Sequence, residues 1–251
     1  GITPLITMLS ADNQFARENA AGALMHLALD PQNAIAIAKA SGIQPLVTLL
    51  DDGTEQAHKH TAEALSRLSN KNVENQTQAA KHLVNLLSAE SVGAQCRTAR
   101  VLSRLAATNK GAPVIIVNAG AISPLVTLLA NGALEVKIAV ADALKNLSLH
   151  SPETQLAIAT GLVALLGNHS IETQEHVTNL LLTLTSNKDN CSAVSRTAAI
   201  PRLATQLKNG SHKTQELSAA VLARLAAASD ENVVLIAESS SMRPLMSLLS
   251  S

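Results

Sequence analysis

Arg97, Arg100 and Arg104 stand at positions i, i+3 and i+7. On an α-helix that spacing places all three on one face. Grouped guanidinium ions form charge-assisted, often bidentate, bonds to carboxylates or phosphates. Cys96 stands beside Arg97, and a neighbouring cation can lower a thiol's pKa, although a buried or merely solvated cysteine is the simpler reading. His58 and His60 flank Lys59. An H-x-H pair can ligate metal on a strand, but on a helix its two rings diverge. No carboxylate or cysteine completes a set, so no metal is expected. Ser, His and Asp are scattered along the chain, and G-x-S-x-G, P-loop, G-x-G-x-x-G and H-E-x-x-H motifs are all absent. The residues therefore predict no hydrolase or nucleotide chemistry and no cofactor.

The composition narrows the partners. The chain has 251 residues, 47% of them hydrophobic, with 19 basic and 19 acidic side chains. A zero net charge argues against general binding to nucleic acid or anionic membranes, which need a net basic face. Phe15 is the sole aromatic residue besides histidine, so base stacking is not available. Cys96 and Cys191 are too far apart in sequence to suggest a disulfide framework or zinc site, and they fit a reducing cytoplasmic or nuclear setting. The apolar stretch 111–130 contains Pro113, Asn118 and Pro124 and reads as two helices joined by a turn, not as a membrane span. Five N-x-S/T matches, at Asn75, Asn146, Asn168, Asn190 and Asn209, read as chance. The chain begins at Gly1 without a methionine, and we expect it to be an excerpt of a longer array.

The elements that must position the arginines recur. Segments such as GITPLITML from Gly1, GIQPLVTLL from Gly42 and AISPLVTLL from Ala121 share an anchor leucine. The seven anchors are Leu5, Leu46, Leu83, Leu125, Leu162, Leu203 and Leu245, spaced by 41, 37, 42, 37, 41 and 42 residues. A second motif carries a leucine pair, beginning 19 residues after each of the first six anchors: Leu24/Leu27, Leu65/Leu68, Leu102/Leu105, Leu144/Leu147, Leu181/Leu184 and Leu222/Leu225. Apolar residues at three- and four-residue intervals give each segment one buried stripe. The pattern predicts three helices per repeat, a short first, a second around the anchor and a longer third bearing the pair. All eight prolines fall near expected helix starts. The two intervals of 37 lack the Gly–Pro turn and predict a shortened or fused first helix. No repeat can bury its own apolar face, so neighbours must stack.

These residues resemble the armadillo repeat family of β-catenin and importin-α, whose signature, roughly GAIPPLVxLL followed by AAxALxNLS, is matched best by 120–129 with 140–148. HEAT repeats are the nearest alternative. The resemblance implies an all-α, right-handed superhelical solenoid over 1–251. Its expected repeats lie at approximately 1–30 (partial), 31–70, 71–108, 109–150, 151–187, 188–229 and 230–251 (partial). It also implies a groove of third helices that holds an extended peptide. The phasing yields three ladders: His26, Arg67, Arg104, Asn146, Thr183 and Arg224; then Gly22, Glu63, Arg100, Asp142, Asn179 and Ala220; then Asn19, His60, Arg97, Ala139, His176 and Leu217. The importin-α style needs a Trp on the second ladder and an Asn on the first to clamp lysine. Here there is no Trp, and Asn146 alone keeps the Asn. The expected groove residues are His60, Arg67, Arg97, Arg100, Arg104, Asn146, Asn179 and Arg224, and the expected partner is a protein or an extended acidic or mixed peptide. A small-molecule substrate is not expected, and the chain reads as a non-enzyme. Two alternatives stand beside this: a structural scaffold for folded partners, and an adaptor array within a larger protein such as a U-box ubiquitin ligase.

Overall fold

Local sequence punctuates the helices. In the computed structural model every proline lies within the first three residues of a helix, where backbone amides have no intrahelical partner to lose. Side chains cap many of the same starts. Asn13, Thr54, Ser91, Ser170 and Ser211 each accept an amide from the first turn of a long helix, and Asp30, Asn72, Ser151, Asn187 and Ser229 do so ahead of others. The structure describes residues 1–149, 151–168, 170–239 and 241–248, without the side chains of 247 and 248. The end of the last expected repeat thus lies partly outside the described residues.

The described elements are helices: α1 (Ile2–Met8), α2 (Gln14–Leu27), α3 (Pro31–Lys39), α4 (Ile43–Asp52), α5 (Glu55–Leu68), α6 (Val73–Leu86), α7 (Val92–Thr108), α8 (Ala112–Asn118), α9 (Ile122–Asn131), α10 (Leu134–Leu147), α11 (Pro152–Leu165), α12 (Ile171–Leu184), α13 (Lys188–Ser195), α14 (Ala199–Asn209), α15 (His212–Ala228), α16 (Asp230–Glu238) and α17 (Met242–Leu248). The leucine pairs lie on α2, α5, α7, α10, α12 and α15, the third helices of the sequence pattern. Where the anchor spacing drops to 37, the first and second helices are one continuous element, α6 and α11. The apolar stretch at 111–130 is α8 and α9 bent by 80°, and no single described helix is long and apolar enough to cross a membrane.

Glycine serves the turn before the second helix in two ways. Gly120 has φ +87, a left-handed conformation that only glycine adopts without penalty. Its counterpart five residues before the anchor Leu46 is Ser41, which adopts φ 60 itself. Gly42, one residue on, is needed for space, since a Cβ there would lie 2.8 Å from Ile37 Cγ2 and 3.0 Å from Ile6 Cδ1.

The chain packs as two compact units, one of Gly1–Leu125 with Gly132–Asn146 and the other of Val126–Asn131 with Leu147–Ser251. In the first, α2 packs along α5, and α4 packs on α5, α6 and α7; in the second, α12 packs along α15, α11 on α13, and α14 on α15. The inner anchors Leu46, Leu83, Leu125, Leu162 and Leu203 are fully buried, as is the first leucine of nearly every pair. Leu5, Leu27 and Leu245, in the first and last segments, are half-buried.

Candidate functional site

The third helices of the first unit stand side by side, and their side chains bond across the seams. Arg67 on α5 donates from Nη1 to the Met25 carbonyl of α2 at 2.8 Å. Asn146 on α10 donates from Nδ2 to the Ser103 hydroxyl and carbonyl of α7, at 2.9 and 3.4 Å. In the second unit, Arg224 on α15 donates to the Leu182 carbonyl of α12. Each accepting carbonyl lies one residue before the matching ladder position of the preceding helix. Three residues expected to meet a ligand therefore join one helix to the next.

The other expected residues divide further. His60 lies against Gly22, its Nδ1 3.3 Å from the Glu18 carbonyl and its Nε2 2.9 Å from the Gln56 side-chain amide. With the Nδ1 proton on the carbonyl, Nε2 is left to accept from the amide. Arg97 places Nε 2.6 Å from the Leu50 carbonyl and Nη2 3.1 Å from that of Asp51. It thus covers the last turn of α4, where a cation complements the helix dipole. Arg104 and Arg67 both bond Glu63. Arg100 is exposed and has no hydrogen-bond or ion-pair partner among the described residues. Asn179 is exposed on α12, in the second unit with Arg224.

The third ladder does not form an exposed line. Ala139 and Leu217 are buried at 3% and 7% exposure, and Gly22 of the second ladder is buried as well. Three residues along a helix fall about 60° short of a full turn, which carries Ala139 and Leu217 toward the seam, while Asn19 of the same ladder stays exposed. Four residues overshoot by only about 40°, and Ile138, four before Asp142, is 56% exposed.

Between α5 and α7 lies an open cleft of about 490 Å³. Leu50, Ala62 and Val101 supply its apolar lining, and Arg97, Arg100 and Arg104 stand around it with Lys59, which pairs with Glu55 of the same cleft at 2.8 Å. His58 lines it too, its Nε2 buried without a partner among the described residues. In the sequence His58 and Lys59 stand out only as part of an H-x-H motif. Their place beside the arginines follows from the α5–α7 seam, which no local pattern reveals. Among the described residues no cluster of His, Cys, Asp and Glu could hold a metal ion.

Residues 109–149 match the family model described as Armadillo/beta-catenin-like repeat. A stretch of 70 residues is 41% identical to Armadillo repeat-containing protein 3 of Homo sapiens, and it spans 28% of this chain and 8% of that protein. Among solved structures, a designed armadillo repeat protein aligns over 90% of this chain and 100% of its own at a TM-score of 0.52 and 23% identity. The fold is that of the armadillo repeat solenoids, and residues 109–149 carry the repeat itself. An engineered protein covers this chain completely, over 64% of its own length, at a TM-score of 0.55 and 26% identity. Another designed armadillo repeat protein, solved in complex with the peptide (KR)4, covers 89% of this chain and 99% of its own at a TM-score of 0.53 and 23% identity.

Two titrating groups report the electrostatics of this face. Burial pushes the His58 imidazole below its ordinary 6.5, the charge of Arg97 adds to that, and Asp52 and Glu55 oppose it. Burial alone would raise the Glu63 carboxyl, but bonds from Arg67 and Arg104, with their charges, outweigh it and hold the group below 4.5. A carboxyl depressed on folding contributes stability that is fully present above its unfolded pKa and is lost as pH falls through the folded value. Glu63→Gln removes that proton linkage. The parent is therefore expected to lose more of its unfolding midpoint than Glu63→Gln as pH drops below about 4.5. Parallel midpoint-against-pH curves for the two would show that the Glu63 contacts do not persist in solution.

Proposed function

We propose that this chain is a non-enzymatic protein-interaction module that binds an extended, acidic or mixed segment of a partner across its third helices, with the α5–α7 cleft as the principal anchor. The observation that carries this reading is the state of Arg100. It is an exposed guanidinium without a partner among the described residues, beside a cleft with apolar walls, while Arg67, Arg97 and Arg224 are committed to backbone carbonyls. A free guanidinium next to Lys59 and Arg104 favours a carboxylate or phosphate, and Arg presents such groups with a planar, two-pronged donor. The armadillo fold is commonly a scaffold for proteins and peptides, and a designed relative was solved with a peptide of lysine and arginine. The absence of Trp here removes the cation–aromatic slots such a basic ligand would use, and the unpaired charge at the cleft has the opposite preference.

A random-peptide display library panned in parallel on the parent and on Arg100→Glu/Arg104→Glu tests the reading. Acidic or phosphomimetic peptides are expected on the parent and not on the variant. If both select the same peptides, the arginines are solvated surface and the proposal fails. The second reading is a scaffold for folded partners. It draws on Val233, Val234 and Leu235 of α16 and Met242 of α17, which are 42–55% exposed.

A further inference from the structure

Resting on the groove reading above, we infer that the bound segment carries an acidic side chain over α7 and, a few positions along, an aliphatic side chain over α10. Helix α10 presents Leu134 and Ile138 at 59% and 56% exposure. Four residues apart, they share a face. Val92, the first residue of α7, is 40% exposed. The two helices run alongside each other, because Cys96 of α7 reaches the Glu135 carbonyl near the start of α10 and Asn146 reaches Ser103 near its end. Val92 and Leu134 therefore stand at the same level of neighbouring helices, next to the arginine cleft.

Single exposed aliphatic residues are ordinary on protein surfaces. A cluster of three beside an unpaired guanidinium is a different feature, because the centres of binding interfaces combine apolar area with a few charged anchors. The sequence separates this helix from its counterparts. Positions equivalent to Ile138 are Glu18, Lys59, Cys96, Glu175 and Glu216 on the other third helices. Ile138 is the one aliphatic residue at that level, and it lies on the helix after Arg100.

Asp142 sets the order of the ligand. It occupies the ladder position of Arg100 one helix further on, is exposed, and has no partner among the described residues. A carboxylate is attracted over α7 and repelled over α10. Adjacent packed helices lie about 8–10 Å apart and an extended chain advances about 3.3 Å per residue. The aliphatic side chain therefore belongs about two to four positions from the acid. Burying it on Leu134 and Ile138 would strengthen binding, whereas a second acid there would weaken it.

The test pans the same peptide library on the parent, on Leu134→Ser/Ile138→Ser and on Arg100→Glu/Arg104→Glu, each checked for unchanged helicity by circular dichroism. The parent is expected to select acids with an aliphatic residue at a fixed interval. The Leu134/Ile138 variant is expected to keep the acid and lose the aliphatic preference, and to bind the parent-selected peptide at least about tenfold more weakly, as losing burial of one such side chain predicts. Acidic peptides selected with no aliphatic preference would overturn this inference and leave the groove reading standing. A parent that selects nothing, or the same selection on the arginine variant, would overturn both.

Discussion

Leu102→Ala is expected to lower the unfolding free energy by about 2–5 kcal/mol, while Arg100→Ala, two residues away on the same helix, changes it by no more than about 0.5 kcal/mol. Leu102 is the first leucine of its pair and is 0% exposed on α7. Its truncation leaves a cavity among side chains already held by neighbouring helices, and only part of that space can close. Arg100 is exposed and bonds to nothing among the described residues, so removing it costs the fold little. Binding should show the reverse ranking, with Arg100→Ala weakening the selected acidic peptides directly. The chain has no Trp or Tyr, so urea unfolding is best followed by far-ultraviolet circular dichroism. Equal stability losses for the two variants would mean that Arg100 is part of the fold, and the case for it as a ligand anchor would lapse.

The contrast between those two residues also marks what could be read from the sequence. Helix positions were legible because their determinants are local: leucines at intervals of three, prolines in first turns, and capping Asn, Ser, Thr or Asp just ahead. Even the fused elements α6 and α11 follow from the missing Gly–Pro turn in the two short intervals. The commitments of the long polar side chains were not legible. Arg67, Asn146 and Arg224 share a ladder with Arg104, yet the first three reach a carbonyl on the preceding helix while Arg104 turns to Glu63. Which of these happens depends on the distance across a seam and on the carboxylates there, and neither is encoded in spacing along one helix. The third ladder failed for a simpler geometric reason. Stepping back three residues from Asp142 reaches Ala139, at 3% exposure, whereas stepping back four reaches Ile138, at 56%. On α10 the small difference between 3.6 and either integer separates seam from surface; on α7 the order reverses, with Cys96 at 5% exposure four residues before Arg100 and Arg97 half-buried three before it.

A second large effect is expected from Asn75→Ala, at about 2–3 kcal/mol, since each buried polar group left unpaired costs about 1–3 kcal/mol. Asn75 is 3% exposed, and its Nδ2 donates to the Leu68 carbonyl at 2.8 Å and toward that of Ala34 at 3.4 Å. The last carbonyls of a helix have no intrahelical partner, and here the next helix supplies one. The device recurs. Thr154 donates to the Leu147 carbonyl at 3.0 Å, Asn190 to that of Leu184 at 3.0 Å, and Asn232 to that of Leu225 at 2.8 Å. Each acceptor is the second leucine of a pair. Asn75 and Asn190 head two of the N-x-S/T matches that the sequence left without a role; buried and bonded, their amides fasten one helix end to the following helix. Thr154 stands seven residues after Leu147 as Asn75 does after Leu68, so Asn75→Thr should retain part of what Asn75→Ala loses. Hydrogen exchange of the amides around Leu68 and α6 would rise in the alanine variant, because the contact restrains local opening as well as global unfolding. Parent-like midpoints and exchange in both variants would mean that the Leu68 carbonyl finds water as readily as it finds Asn75, and that the recurrence of the contact carries no stability.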